Sequence, residues 1–284
     1  MKQSEVAKTD MSRDGELERP ANADRAVQKE VEEKITGKPS RKLFGTFSGV
    51  FTPTLLTILG VIMYLRVGWV VGNAGLLGAL LIISLAFAIT FCTGLSLSSI
   101  TTNIRIGTGG AFSVISQSLG LEVGGSVGIP LYLAQALAVS MYIFGFRAGW
   151  LWIFPDHSPV LVDLGTFALL FTITFISTDL AFKIQYVILV TIIVSLISIG
   201  ASVFTASWVE NVQWWGAFPG SPETAFKGVN FWGVFAVFFP AATGIMAGAN
   251  MSGDLQNPRK SIPVGTLTAI GICFVVYILL AVWL

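Results

Sequence analysis

Two apolar stretches of this sequence contain residues that interrupt a helix, and a helix interrupted within apolar surroundings can bind ions. In one stretch Pro240 removes a backbone donor, and Gly244 loosens the helix four residues later. In the other, residues 54–62, Thr57 and Gly60 lie near the centre of an otherwise apolar run. We predict a helix break in each stretch.

A broken helix exposes main-chain groups that bind ions without any charged side chain. The N-terminus of a half-helix presents free N–H groups and about half an elementary positive charge, which favours an anion, whereas a C-terminus presents carbonyls that favour a cation. Residues 231–253 contain no charged residue. The two breaks therefore predict a shared site for an anion and a cation. The alternative is that Pro240 only kinks a packing helix, with Gly244 and Gly248 forming a small-residue contact.

The composition places these stretches in a membrane. The chain has 284 residues, of which 54% are hydrophobic and 12% charged, and its mean hydropathy is +0.76. An average soluble domain has about 25% charged residues. Residues 1–44 hold 10 of the 17 Lys and Arg and 9 of the 16 Asp and Glu. We therefore predict a disordered cytosolic tail over residues 1–44 and a transmembrane domain over residues 45–284.

Apolar runs of about 20 residues, the length that crosses the hydrocarbon core of a bilayer, recur after the tail. They predict seven spans, at residues 47–71, 76–100, 124–153, 161–177, 182–204, 230–252 and 263–284. The positive charge of the loops favours a cytoplasmic N-terminus in a multi-pass protein of the cell membrane, either plasma or bacterial inner. The last run ends at Leu284 without a flanking charge, so we expect a truncated piece of a longer protein.

Other classes of function find little support. The formal net charge of +1 gives no electrostatic argument for a nucleic-acid partner. The spans contain no pair of nucleophile and base and no metal-binding cluster, so we predict that the protein is not an enzyme and needs no cofactor. Cys92 and Cys273 lie in apolar runs, and His157 lies in a loop far from any second metal ligand.

The stretch around the second break resembles a known family. Residues 238–255, followed by Ser261-Ile262-Pro263, are similar to the sixth-span signature of the cation-chloride cotransporters. Residues 60–72, 119–125 and 138–142 strengthen the resemblance, which covers the chain from about Leu43 onward.

The resemblance implies an all-α membrane protein with a LeuT-type fold of two inverted five-span repeats, as in the amino acid-polyamine-organocation superfamily. This chain would supply the first repeat together with spans six and seven, and spans one and six would be broken. The intact protein would be a homodimer in the lipid bilayer that couples chloride transport to potassium, sodium or both.

The resemblance also implies roles for particular residues. Potassium would be held by the main chain at Thr57 and Ile58, the carbonyl of Pro240, and the hydroxyls of Thr243 and Tyr142. Chloride would bind at two sets of three amides, those of Gly60, Val61 and Ile62 and those of Gly244, Ile245 and Met246. Arg66 would belong to a gate.

The sequence departs from the family pattern at two positions and leaves other functions open. Thr57 stands where the family usually has asparagine, and Ala148 stands where the acidic gate partner of Arg66 is expected. An amino-acid permease of the same superfamily would share the broken spans but hold a carboxylate and an amine. A seven-helix receptor or retinal protein would fit the number of spans.

Overall fold

A computed structural model describes residues 43–103, 109–176, 178–205, 211–221 and 226–284. Almost all of the predicted tail, residues 1–44, lies outside these ranges.

Helices make up most of the described chain, which confirms the predicted all-α membrane fold. A π-helical turn, Phe47–Phe51, leads into α1 (Thr52–Ile58), followed by α2 (Val61–Asn103), α3 (Gly110–Leu119), α4 (Leu121–Ile153), α5 (Pro159–Ile176), α6 (Thr178–Ala201), α7 (Phe231–Phe238), α8 (Met246–Asn250) and α9 (Pro258–Trp283). Three short 3₁₀ turns lie at Ser202–Phe204, Phe239–Ala242 and Ser252–Asp254. Strands β1 (Gly220–Ser221) and β2 (Phe226–Lys227) form a small antiparallel ribbon.

Six helical segments of the described residues are long and apolar enough to cross a membrane. The first of them, Phe47–Asn103, has 57 residues. At 1.5 Å per residue this is about 85 Å of helix, more than twice the thickness of a hydrocarbon core. It also contains a non-helical residue, Gly75, with φ 73° and ψ 173°. This segment therefore accounts for the first two predicted spans, which meet at Gly75 without a loop.

The element boundaries differ most from the sequence-based prediction in two places. Residues 110–119 form α3, which was not predicted, and α9 begins at Pro258 instead of residue 263. Pro258 occupies the first helical position, where its missing N–H costs no hydrogen bond. Asn257 then accepts a hydrogen bond from the amide of Ser261 at 2.8 Å.

The buried core lies between α2, α7 and α9. Its largest fully buried side chains include Ile82 and Ile83 of α2, Phe238 of α7, and Ile270 and Tyr277 of α9. In contrast, α5 has no buried residue although it is strongly apolar. Such a surface suits the hydrocarbon of a bilayer or a second apolar protein surface.

A loop segment, residues 213–221, covers the turn at Gly75, and we call it the loop clamp. The amide of Leu76 donates to the carbonyl of Gln213 at 3.0 Å, and the amide of Gly216 donates to the carbonyl of Ala74 at 2.8 Å. The buried side chain of Asn73 accepts from the amide of Gly220 at 2.7 Å. The backbone groups freed by the break at Gly75 are thus satisfied by the loop clamp.

Replacing Gly75 with alanine should release the loop clamp. A Cβ atom at Gly75 would lie 2.7 Å from the backbone nitrogen of Gly216, and φ is positive. We expect a loss of about 2–3 kcal/mol in the free energy of unfolding, measured by thermal unfolding of the full-length protein in detergent. Gly72→Ala is the control, because its Cβ would meet no atom within 4 Å. Equal stability of the two variants would contradict the prediction.

Candidate ion site at the helix breaks

The first break separates α1 from α2. Leu59 caps α1 with φ −82° and ψ 34°, and its amide donates to the carbonyl of Leu55 at 2.8 Å. The helical hydrogen bonds resume where the amide of Met63 donates to the carbonyl of Gly60 at 3.1 Å. Within the described residues, the amides of Gly60, Val61 and Ile62 have no acceptor. This confirms the predicted break and leaves three consecutive free N–H groups at the start of α2.

The second break lies between the 3₁₀ turn Phe239–Ala242 and α8. Thr243 is extended, with φ −88° and ψ 174°, and Gly244 has a φ of 105°. The described part of the chain provides no acceptor for the amides of Gly244, Ile245 and Met246. This break is also confirmed. However, α8 has only five residues, so its helix dipole adds little to these amides.

Thr57 and Gly244 bring the two breaks into contact. The Thr57 hydroxyl lies 2.8 Å from the carbonyl oxygen of Thr54, 3.0 Å from that of Pro53 and 3.3 Å from that of Gly244. It has one proton to share among these three acceptors. A Cβ atom at Gly244 would lie 2.7 Å from the Thr57 Oγ1 atom. Position 244 therefore requires glycine both for its φ and for this close approach.

A small, partly open cavity lies between the two broken spans and α4. Its lining brings together seven of the predicted site residues and one further residue: Thr57, Ile58, Gly60, Val61, Ile62, Tyr142 and Pro240, together with Ala241. A Cβ atom at Gly60 would lie 3.7 Å from the Tyr142 ring, so α4 approaches the first break closely. The lining has no charged side chain.

The remaining predicted residues lie outside the lining of this cavity. Thr243 is close to it, because its hydroxyl donates to the carbonyl of Pro240 at 2.7 Å. Gly244, Ile245 and Met246 form a separate group that reaches the cavity through the contact between Gly244 and Thr57. The structure thus places the first set of amides, but not the second, in the lining of the cavity.

Arg66, the predicted gate residue, is exposed, and the described residues place no carboxylate within ion-pair distance of it. Arg147 instead forms an ion pair with Asp163 of α5 at 2.7 Å. Its guanidinium carbon lies 4.8 Å from the centre of the Phe144 ring, which is a cation–π contact. Ala148, where the acidic gate partner is expected, therefore directly follows Arg147, and the charge of Arg147 is already paired with Asp163 of α5.

Three residues that sequence reasoning missed support the breaks. The Tyr277 hydroxyl donates to the carbonyl of Ile58 at 2.8 Å, and the Thr90 hydroxyl donates to the carbonyl of Ala242 at 2.9 Å. Gly145 of α4 faces the side chain of Val61, where a Cβ atom would clash. A tyrosine in the apolar run of α9 was a usable signal, because a buried phenol needs a hydrogen-bond partner.

This arrangement suits dehydrated ions. The carbonyls at the end of α1 and the Tyr142 hydroxyl are oxygen ligands of the kind that hard cations prefer, and the free amides are anion donors. Among the described residues, no cluster of His, Cys, Asp or Glu could hold a metal ion. A cation in this cavity would be held by neutral oxygens, because the lining has no charged side chain.

Comparison with known proteins shows which family and which proteins this chain is similar to. Residues 49–284 match the family model described as Amino acid permease. The chain is 39% identical over 257 residues to solute carrier family 12 member 2 of Homo sapiens, a match covering 84% of this chain and 21% of that protein. It is 38% identical over 250 residues to the Squalus acanthias protein of the same name, covering 82% and 21%. Solute carrier family 12 member 1 of Mus musculus is 37% identical over 290 residues, covering 94% and 26%. The chain thus spans about a fifth to a quarter of the length of these relatives.

Proposed function

The chain belongs to the amino acid permease family, and from this membership we propose that the full-length protein is a secondary active symporter that couples chloride to potassium, sodium or both. The similarity to solute carrier family 12 and the residue-level resemblance to the cation-chloride cotransporters support ions as substrates. The observation that carries the proposal is the charge-free cavity, where free amides and carbonyl oxygens of two broken spans meet.

The proposed cation site is the oxygen cluster of the cavity. Its ligands are the main chain of Thr57 and Ile58, the carbonyl of Pro240 and the hydroxyls of Tyr142 and Thr243. The carbonyls at the end of α1 lack helical partners, which leaves their lone pairs available to a cation. The hydrogen bond from Thr243 to Pro240 holds two of these ligands next to each other at 2.7 Å.

Chloride is proposed to bind at the two sets of free amides, Gly60, Val61 and Ile62, and Gly244, Ile245 and Met246. The first set is the stronger candidate, because it starts the long helix α2 and lines the cavity beside the cation ligands. An anion and a cation bound side by side stabilise each other, since the cavity lacks side-chain charges that would screen them. This pairing is the proposed basis of coupled transport.

The remaining assignments follow from the same proposal. The protein is a multi-pass protein of the cell membrane with a cytoplasmic N-terminus, a cytosolic tail over residues 1–44 and a transmembrane domain over residues 45–284. It is a homodimer and not an enzyme, and Arg66 contributes to a gate whose partner lies outside the described residues.

The lining of the cavity separates the proposal from amino-acid transport. An amino acid carries a carboxylate and an amine, and the lining has no charged group to pair with either of them. Ions therefore suit it better than amino acids. Membership of the permease family also argues against the alternative of a receptor or a retinal protein.

The decisive experiment measures uptake of radioactive rubidium by vesicles that contain the full-length protein. We expect uptake that requires external chloride and is lost when gluconate replaces it, with sodium added or omitted to define the second cation. Vesicles without the protein are the control. Uptake of labelled amino acids without chloride-dependent rubidium uptake would reject the symporter and favour a permease.

Removing the Tyr142 hydroxyl should weaken cation binding. Tyr142→Phe deletes one oxygen ligand of the cavity, and we expect the half-saturating rubidium concentration to rise about tenfold, equivalent to about 1.4 kcal/mol. Tyr132→Phe in the same helix is the matched control, because Tyr132 is 75% exposed and lies outside the cavity lining. Thr243→Ala should have a smaller effect, since Thr243 lies outside that lining. If Tyr142→Phe and Tyr132→Phe have equal rubidium kinetics, Tyr142 is not a ligand.

A further inference from the structure

Tyr277 of α9 reaches the first break from outside the cavity. Its side chain is fully buried, and its hydroxyl donates to the carbonyl of Ile58 at 2.8 Å. Ile58 lines the cavity, whereas Tyr277 does not. The phenol therefore holds the carbonyl of a proposed ligand without occupying the site itself.

The Ile58 carbonyl needs such a partner because α1 ends there. The carbonyl of a residue at the C-terminal end of a helix receives no hydrogen bond from a later amide of that helix, so the helix does not fix its direction. A carbonyl oxygen has two lone pairs, and the Tyr277 hydroxyl uses one of them. The other lone pair remains available to a cation, and the carbonyl direction is fixed before a cation arrives.

The Tyr277 ring is fixed by contacts with two other spans. The centre of the Tyr277 ring lies 5.5 Å from the centre of the Phe87 ring in α2, and the two rings are tilted. It also lies 5.5 Å from the centre of the Phe238 ring in α7, where the two rings are edge-to-face. Phe238 directly precedes the 3₁₀ turn of the second break. One side chain of α9 thus contacts the first break through its hydroxyl and the start of the second break through its ring.

We propose that Tyr277 is a positioning residue for the cation site: its hydroxyl orients the Ile58 carbonyl, and its ring packs against Phe238 at the start of the second break. This inference rests on the proposed cation site and adds a supporting residue from α9, the seventh predicted span. A carbonyl held in one direction selects cations by size, because it cannot move to accommodate a larger or smaller ion. Without the hydroxyl, both the affinity and the size selectivity decrease.

The test compares Tyr277→Phe with Thr101→Val in the full-length protein. Tyr277→Phe keeps the ring contacts and removes only the hydroxyl. Thr101→Val also removes a fully buried hydroxyl, which donates to the carbonyl of Ser98 at 3.1 Å near the far end of α2. Two quantities are measured for each variant. The first is the concentration of rubidium, and of caesium, that gives half-maximal uptake. The second is the concentration of each cation that gives half of the maximal rise in the unfolding temperature of the purified protein.

For Tyr277→Phe we expect the half-saturating rubidium concentration to rise about three- to tenfold. The preference for rubidium over caesium should fall at least about twofold, while the maximal rate stays near that of the wild type. Thr101→Val should leave both quantities unchanged. A purely structural tyrosine would lower the unfolding temperature without changing the selectivity, and that result would overturn the inference.

The two measurements distinguish failure of the inference from failure of the symporter. If the wild type shows no chloride-dependent uptake, but cations stabilise it and Tyr277→Phe weakens that effect, only the symport proposal fails. If cations act equally on the wild type and Tyr277→Phe, only the role of Tyr277 fails. If cations stabilise neither protein, both fail. A Tyr277→Phe protein that does not fold, when Thr101→Val does, also overturns the inference, because the hydroxyl is then needed for folding.

Discussion

Replacing Val61 with proline should raise the half-saturating chloride concentration for cation uptake about 10- to 100-fold. Val61 is the first residue of α2, and its amide is the central one of three that have no acceptor among the described residues. Proline is well tolerated at the first helical position, so the change removes the donor with little harm to the helix. A hydrogen bond to a charged partner contributes about 1.5–3 kcal/mol, which gives the expected range.

Val61→Ala is the control for this change. It keeps the amide but removes the two methyl groups that face Gly145 of α4. We expect a near-normal chloride requirement and a modest loss of stability. The measurement is cation uptake as a function of chloride concentration for the wild type and both variants. Surface expression of each protein is measured in the same experiment. A folded Val61→Pro protein with a normal chloride requirement would rule out the first set of amides.

Ile245→Pro applies the same test to the second set. Because α8 has only five residues and these amides lie outside the cavity lining, its effect on chloride affinity should be smaller than that of Val61→Pro. The order of the two effects indicates which set of amides has the larger part in coupling.

Replacing Gly244 with alanine should reduce transport at least about tenfold even when the protein reaches the membrane. The change keeps the amide of residue 244, so the expected loss comes from the backbone and from packing. At Gly244 φ is 105°, and the added Cβ would lie 2.7 Å from Thr57 Oγ1. Positive φ at a residue other than glycine costs about 1–3 kcal/mol. The strain falls where the two breaks touch, so both proposed sites are disturbed.

Gly233→Ala in α7 is the matched control. Its Cβ would lie 3.4 Å from the Asn230 side chain, which is an ordinary contact. Rubidium uptake, surface expression and thermal unfolding should be measured for both variants. Transport by Gly244→Ala equal to that of Gly233→Ala would show that contact between the breaks is not required.

The sequence was sufficient for features that depend on neighbouring residues. The apolar runs predicted the spans, and Pro240 with Gly244, and Thr57 with Gly60, predicted both breaks, which the structure confirms. The resemblance to the cation-chloride cotransporters is likewise confirmed by the similarity to solute carrier family 12. Each of these signals lies within about 20 consecutive residues.

The sequence was insufficient for contacts between distant residues. The bond from Tyr277 to Ile58 spans 219 positions, and the bond from Thr90 to Ala242 spans 152. In both bonds a hydroxyl donates to a carbonyl that a helix break has left without its helical partner. Such a bond can be recognised only when the arrangement of the spans is known. The same holds for the loop clamp on Gly75. The roles assigned to the ion-site residues stay predictions until the variants are measured.

The close contact between Thr57 and Gly244 is one of several attachments between the first and sixth spans. Val50 of the π-helical turn is buried against Gly248 of α8, where a Cβ atom would clash. At the start of the described chain, the amide of Phe44 donates to the carbonyl of Asp254 at 2.8 Å, and the amide of Gln256 donates to the carbonyl of Phe44 at 2.9 Å. Because these attachments follow one another along the sixth span, we expect the π-helical turn and α1 to move together with α8 as one body.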